Sequence, residues 1–167
     1  PDYERRPLQG PNRWPDDPWF VETVQRYDTA TRDLGLKLLP AFSVAVGEAP
    51  DFFTRRFAPP STALRLIHYP PLPADLPANA VRAAAHADIN LLTLLCEGTA
   101  GGLEVRRPDG SWMPVKALAG QLVVNVGDML SLATGGRLRS TPHRVVNPAD
   151  PVARGVSRYS MPFFVHP

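Results

Sequence analysis

Only one cysteine, Cys96, occurs among the 167 residues. That excludes a disulfide framework within the chain and a zinc site built on several thiolates; a reducing, cytoplasmic setting is the expectation. Long apolar runs are also missing. The longest, over residues 91–96, falls far short of the ~20 residues that a membrane-spanning helix needs, and no membrane association is expected. No basic stretch followed by an apolar one opens the chain, so no secretory signal is visible. Charge of one sign is lacking too: 18 basic residues face 16 acidic ones, for a net charge of +2. Without a basic run or aromatics interleaved with arginines, nucleic acid is not an expected partner.

Proline, by contrast, is abundant. The chain has 20, more than twice the usual share of ~5%. They are dispersed through a chain that is 44% hydrophobic, which fits many short strands and turns better than disorder. The length suits one domain with a sizeable core. Residues 1–16 read as an irregular, Pro-rich arm. Asp17 then caps a helix whose first turn holds Pro18. Phe20, Val24, Tyr27, Thr31, Leu34 and Leu38 recur at helical spacing, and Pro40 either ends this helix or kinks it on its way to Gly47. A second short helix is expected over about 51–57.

Beyond Pro59 and Pro60 the pattern changes to short strands. They are expected over residues 64–69 and about 86–95, 102–107, 112–116, 121–126, 129–133, 138–146 and 157–165. Asp109-Gly110 marks a hairpin, and Gly127-Asp128 and Gly135-Gly136 mark tight turns. Eight strands at this spacing predict a sandwich or barrel such as a jelly roll. The expected division is therefore 1–60 as an arm and helical support and 61–167 as the β core, a mainly β fold with flanking α.

Two of the four histidines carry the chemistry. In His86-Ala87-Asp88 an imidazole and a carboxylate stand two residues apart, and on a strand they share a face. His143, in Ser140-Thr141-Pro142-His143-Arg144-Val145, can meet them if the strands fold back on one another. Two imidazoles and one carboxylate form a facial triad that leaves coordination positions open, which suits non-heme Fe(II) and oxygen chemistry. The competing structural reading has Asp88 merely holding His86 by a hydrogen bond. A further pair, Arg158 and Ser160, again lies two apart. If the guanidinium is buried inside a barrel it needs an anionic partner, and its planar fork matches a carboxylate; the competing reading is a surface Arg and a solvated Ser. Asn125 and Asp128 read as structural turn residues, and Cys96 as core.

The ordered set of motifs resembles the isopenicillin N synthase-like branch of the Fe(II)/2-oxoglutarate-dependent oxygenases. It comprises Leu64-Arg65-Leu66-Ile67-His68-Tyr69-Pro70-Pro71, His86-Ala87-Asp88 with Leu92-Thr93-Leu94-Leu95, and Gly102-Leu103-Glu104-Val105 leading to Trp112-Met113-Pro114-Val115. Val123-Val124-Asn125-Val126-Gly127-Asp128, the His143 motif, and Arg158-Tyr159-Ser160-Met161-Pro162-Phe163-Phe164 complete it. The resemblance implies a double-stranded β-helix, a jelly-roll variant backed by N-terminal helices. It implies that His86, Asp88 and His143 ligate Fe(II), and that Arg158 and Ser160, assisted by Tyr69, hold the distal carboxylate of 2-oxoglutarate. Plant members often carry Asn where this chain has Ile67, so that contact is not carried over. The implied activity is oxidation of a small organic metabolite, most simply hydroxylation, with O2 consumed and succinate and CO2 formed. No catalytic side chain beyond the metal site is implied. An Fe(II) oxidase that does not use 2-oxoglutarate and a non-catalytic jelly-roll binding module are the alternatives. Phe163, Phe164, Leu103 and Met129 are the candidate substrate contacts, with Leu91 beside them and His68 as a neighbour of the site. The resemblance also implies a further N-terminal region before this chain and a C-terminal helical tail after it.

Overall fold

The computed structural model describes residues 10–57 and 61–167; the first nine residues of the expected arm and the boundary at Pro59 and Pro60 lie outside them. Helix α1 (Pro18–Ala45) begins where the sequence places it. The Asp17 side chain accepts a hydrogen bond from the Phe20 amide at 3.0 Å, and Pro18 occupies the first turn. Pro40 stays inside the helix rather than ending it. The helix is retained because the turns on either side are pinned by burial: Leu39 is 1% exposed and Ser43 0%. The buried stripe is Thr31, Gly35, Leu39 and Ser43, which only partly coincides with the expected apolar stripe. Gly35 sits within it because a Cβ there would lie 2.9 Å from Val165 Cγ2. Its absence lets the helix lie directly on the sheet. Helix α2 (Phe52–Arg56) packs Phe53 into the same core, stacked on Phe57.

Among the described residues ten strands follow, all paired antiparallel. They are β1 (Thr62–Leu64), β2 (Ile67–Tyr69), β3 (Ala83–His86), β4 (Leu92–Cys96) and β5 (Leu103–Arg106). Next come β6 (Trp112–Pro114) and β7 (Leu122–Val126), then β8 (His143–Val145), β9 (Arg158–Ser160) and β10 (Pro162–Val165). One sheet has the order β1-β10-β4-β7, the opposing one β3-β8-β5-β6, and β2 pairs with β9. This is the double-stranded β-helix, with helices against the outside of one sheet. The runs expected at 64–69, 86–95 and 157–165 are each broken in two. The β5–β6 hairpin turns at Asp109-Gly110, where Gly110 has φ +86°.

One expected strand is a helix. Residues Asp128–Ala133 form α3, with Gly127 at its cap and the Ser131 amide bonded to the Gly127 carbonyl. In six residues the apolar positions Met129, Leu130 and Leu132 do not distinguish a period of two from one of 3.6. Only Leu130 is buried; Leu132 is 83% exposed. The stretch 138–146 is likewise mostly loop, with only β8 regular. A four-residue helix α4 (Pro151–Arg154), capped by Asp150, precedes β9.

Alternation along the strands divides the interior in two. Leu92 and Leu94 on β4 and Phe163 and Val165 on β10 point outward to α1 and α2, forming a core with Leu39 and Phe53. Their neighbours Thr93, Leu95, Pro162 and Phe164 point the other way and line a cavity between the sheets. Leu95, Leu103 and Val145 close a second cluster there, with Tyr69 against it. Cys96 is half-buried at the end of β4 and accepts a hydrogen bond from the Tyr27 hydroxyl at 3.1 Å. Burial first, and this bond second, push the Tyr27 phenol above its ordinary pKa. Among the described residues, no helix is long and apolar enough to cross a membrane.

Candidate functional site

The cavity encloses about 530 Å³ between the two sheets. His86 reaches it from the end of β3 and His143 from the start of β8, and the two residues are register partners. Asp88 does not lie on a strand, so the strand-face argument does not place it. It sits in the loop from β3 to β4, and the main chain there is anchored by a bond from the Asp128 amide to the Asp88 carbonyl at 2.7 Å. Loop and register together bring one donor atom from each of His86, Asp88 and His143 within 4.8 Å of one another. The imidazole centroids are 4.4 Å apart, and His143 Nε2 lies 3.7 Å from Asp88 Oδ1.

Hydrogen bonding orients all three toward a common point. His86 Nδ1 donates to the Ala84 carbonyl at 2.8 Å and His143 Nδ1 to the Thr141 carbonyl at 3.3 Å. Both protons are thereby placed on Nδ1, which leaves each Nε2 lone pair free to ligate. The Thr93 hydroxyl donates to Asp88 Oδ2 at 2.7 Å, and Asn90 Nδ2 donates to that hydroxyl at 3.0 Å. Asp88 Oδ1 is left to face His143. The separation of 3.7 Å is too long for a hydrogen bond, and His86 spends its Nδ1 proton on the backbone. The structural reading of Asp88 as a mere holder of His86 is therefore not what the fold builds. Two free imidazole nitrogens and a carboxylate oxygen, converging without hydrogen-bonding one another, fit a divalent ion that favours mixed N/O ligands, such as Fe(II).

Sequence reasoning does not name the supporting groups. Thr93 stands as a lone hydroxyl in an apolar strand, and that is the signal it offers. Asn90 is fully buried. It is held against Gly127, where a Cβ would come within 2.1 Å of the Asn90 carbonyl oxygen; only glycine permits the α3 turn to close on this loop. Replacing Thr93 by Val removes the bond to Asp88 at nearly constant shape. Fe(II) affinity, measured by anaerobic titration, is expected to fall roughly 10- to 100-fold, the usual effect of losing a bond that orients a ligand. Asn125 is a correction to its reading as a turn residue that ends a strand. It lies within β7 opposite Thr93 and lines the cavity.

At the other end of the cavity, Arg158 and Ser160 on β9 are 2% and 7% exposed. Tyr69 and Ile67 on β2 are their register partners, and the guanidinium lies 5.1 Å from the centre of the Tyr69 ring. Arg158 Nε donates to the carbonyls of Ala100 and Gly101 at 2.9 and 3.1 Å. Nη1 is buried with no partner. Burial lowers the Arg158 pKa from its ordinary value, and the charge of Arg82 acts the same way, while Tyr69 opposes both. An orphaned, desolvated N–H beside a buried hydroxyl is the feature that an incoming carboxylate would satisfy, so these residues fit a dicarboxylate co-substrate.

The apolar candidates separate. Phe164 and Leu103 line the cavity. Phe163 does not: it is fully buried on the opposite face of β10, packed under the helices, because adjacent strand residues point oppositely. Leu91 belongs to that same core. Met129 is 45% exposed on α3 and lies outside the cavity lining. His68 is on the rim, stacked on Tyr159 and bonded to the Ser157 hydroxyl at 3.0 Å.

Comparisons with known proteins agree with this geometry. The profile of the 2OG-Fe(II) oxygenase superfamily matches residues 60–167. The chain is 33% identical over 143 residues to homoarginine-6-hydroxylase 2-ODD-C23.2 of Arabidopsis thaliana, covering 84% of this chain and 39% of that protein. Among solved structures, a protein of Caulobacter crescentus described as a 2OG-Fe(II) oxygenase family member is 44% identical with a TM-score of 0.86, covering 99% of this chain and 53% of that one. A full-length Neurospora crassa protein, solved in complex with alpha-KG and thymine, is 29% identical with a TM-score of 0.85, covering 98% and 51%. The chain thus spans about half the length, or less, of the relatives it matches. With the matching profile, the double-stranded β-helix and the converging donors in hand, the chain belongs to the 2OG-Fe(II) oxygenase superfamily.

Proposed function

We propose that this chain forms the oxygenase core of an Fe(II)- and 2-oxoglutarate-dependent dioxygenase that oxidises, most simply by hydroxylation, a small organic molecule. Residues 61–167 form that core and the preceding helices buttress it. The observation that carries the reading is the pairing, within one cavity, of a convergent His-Asp-His donor set with a buried, incompletely partnered arginine. His86, Asp88 and His143 hold the metal; Arg158 and Ser160, with Tyr69 against the guanidinium, hold the distal carboxylate. Fe(II) with bound 2-oxoglutarate supplies O2-dependent C–H oxidation, with succinate and CO2 as co-products. The chain's own contribution is to orient the donors through Thr93, Ala84 and Thr141 and to exclude water with Leu95, Leu103 and Val145. Phe164 and Asn125 are positioned on the cavity wall to contact substrate. The order and spacing of the motifs support membership of the isopenicillin N synthase-like branch, and the lone cysteine suits the cytoplasm.

Anaerobic addition of Fe(II) and then 2-oxoglutarate is expected to produce a weak visible charge-transfer band, saturating at about one equivalent of each per chain, as a single three-donor site requires. Absence of the band in protein that binds Fe(II) would remove the co-substrate from this reading.

A further inference from the structure

Arg82 stands immediately before β3, four residues ahead of His86, and lines the same cavity as Arg158. Its Nη2 donates to the Val156 carbonyl at 3.3 Å, two residues before Arg158. Its Nε is buried and has no partner. Among the described residues, neither Arg82 nor Arg158 forms an ion pair. Two guanidiniums sharing one cavity, each with an orphaned N–H and no carboxylate between them, are costly unless a ligand brings the missing negative charge.

The way Arg158 is bound sharpens the point. Its Nε is already spent on two backbone carbonyls. Nη2 lies against Gly98, where even a Cβ would approach to 2.9 Å. The side-on fork that arginine ordinarily offers a carboxylate is therefore already engaged at Nε, and Nη1 is buried without a partner. A carboxylate has two oxygens and about four acceptor sites, so it can take donors from both guanidiniums as well as from the Ser160 hydroxyl.

We propose that Arg82 is a second cation for the distal carboxylate of the co-substrate, joining Arg158 in that subsite. This rests on the reading of the cavity as a 2-oxoglutarate site. Arg82 then acts as a positioning and specificity residue: it favours keto acids that carry a second carboxylate and holds the co-substrate's far end while the iron holds the near one.

The test is calorimetric titration of 2-oxoglutarate into protein loaded anaerobically with Fe(II). Arg82→Gln is expected to weaken binding about tenfold or more, the scale of one hydrogen bond to a charged group. Arg82→Lys, which keeps the charge, is expected to recover part of it. 2-Oxobutyrate, which has the keto-acid end but no distal carboxylate, is expected to bind wild type and Arg82→Gln equally. Fe(II) affinity should not change in either variant, and thermal melts of both report whether the fold is kept. Unchanged 2-oxoglutarate affinity in Arg82→Gln overturns the proposal; so does an equal loss toward 2-oxobutyrate, which would place the effect elsewhere. If the glutamine variant does not fold, the lysine variant carries the same comparison, since loss of the planar fork should weaken 2-oxoglutarate and spare 2-oxobutyrate. Arg158→Ala separates the two levels of inference: if it keeps full 2-oxoglutarate affinity, the co-substrate site itself is misassigned. If Arg158→Ala loses affinity and Arg82→Gln does not, only the role of Arg82 fails.

Discussion

Asp88→Ala is expected to abolish Fe(II) binding at micromolar metal and, with it, Fe(II)-dependent succinate formation. Asp88 is the only acidic side chain of the donor set, so its removal takes away both a ligand and the charge that attracts a divalent ion. The two histidines that remain cannot replace it: their Nδ1 protons are committed to Ala84 and Thr141, and each contributes a single nitrogen. The loss should exceed the roughly 10- to 100-fold effect of removing a group that merely orients a ligand, which is the effect expected of Thr93→Val. Asp88→Asn makes the comparison sharper. The amide preserves size and can still accept from Thr93, but it is neutral and a poor ligand, so it should behave like alanine in the metal titration. Unfolding should shift only modestly, because Thr93 retains Asn90 as a partner. A variant of Asp88 that binds Fe(II) like the wild type would remove the His-Asp-His set as the metal site.

Much of this is readable from residue types and spacing, and the reasons for the failures are local. The strand pattern from 102 to 126 and the Asp109-Gly110 hairpin are legible because alternation and turn chemistry agree there. The breaks between β1 and β2, β3 and β4, and β9 and β10 are not, since nothing in the local pattern of these stretches records where a strand passes from one sheet to the other. Residues 129–133 read as a strand and fold within helix α3 because so short a set of apolar positions fits either period. Within the site, His86 and Asp88 come together, though not by sharing a strand face. They meet because the loop after β3 is tied to α3 through Asp128, a long-range contact that spacing does not reveal. Phe163 and Phe164 show the opposite lesson: alternation guarantees that only one of them faces the cavity, yet it does not say which until the register with β4 is known. Thr93 and Asn90 escape a reading of the sequence because their bonds depend on how the loop before β4 folds back on itself, and Arg82 because its role depends on what lies across the cavity.

Arg158→Ala is expected to weaken 2-oxoglutarate by at least about 100-fold, equivalent to about 2.7 kcal/mol, while leaving Fe(II) affinity near that of the wild type. The separation follows from position. Arg158 lies on β9, at register with Tyr69 rather than with any of the metal donors, and makes its backbone bonds to Ala100 and Gly101. Its side chain is almost wholly buried, so the charge it offers is little screened by solvent and its contribution to an incoming carboxylate is large. The same burial makes the free protein bear a desolvated cation, whose pKa is lowered for that reason. Truncation should therefore cost binding far more than it costs stability, and can even relieve the free protein. Arg158→Lys should not restore affinity: an ammonium has no Nε with which to hold the Ala100 and Gly101 carbonyls, so its charge would not be kept in place. Gly98→Ala, which intrudes on Nη2 without touching the charge, should produce a smaller loss of the same kind. Calorimetry of the Fe(II)-loaded protein distinguishes these cases. An Arg158→Ala variant that binds 2-oxoglutarate unchanged would mean that this buried cation serves another anion, and the co-substrate would have to be anchored elsewhere in the cavity.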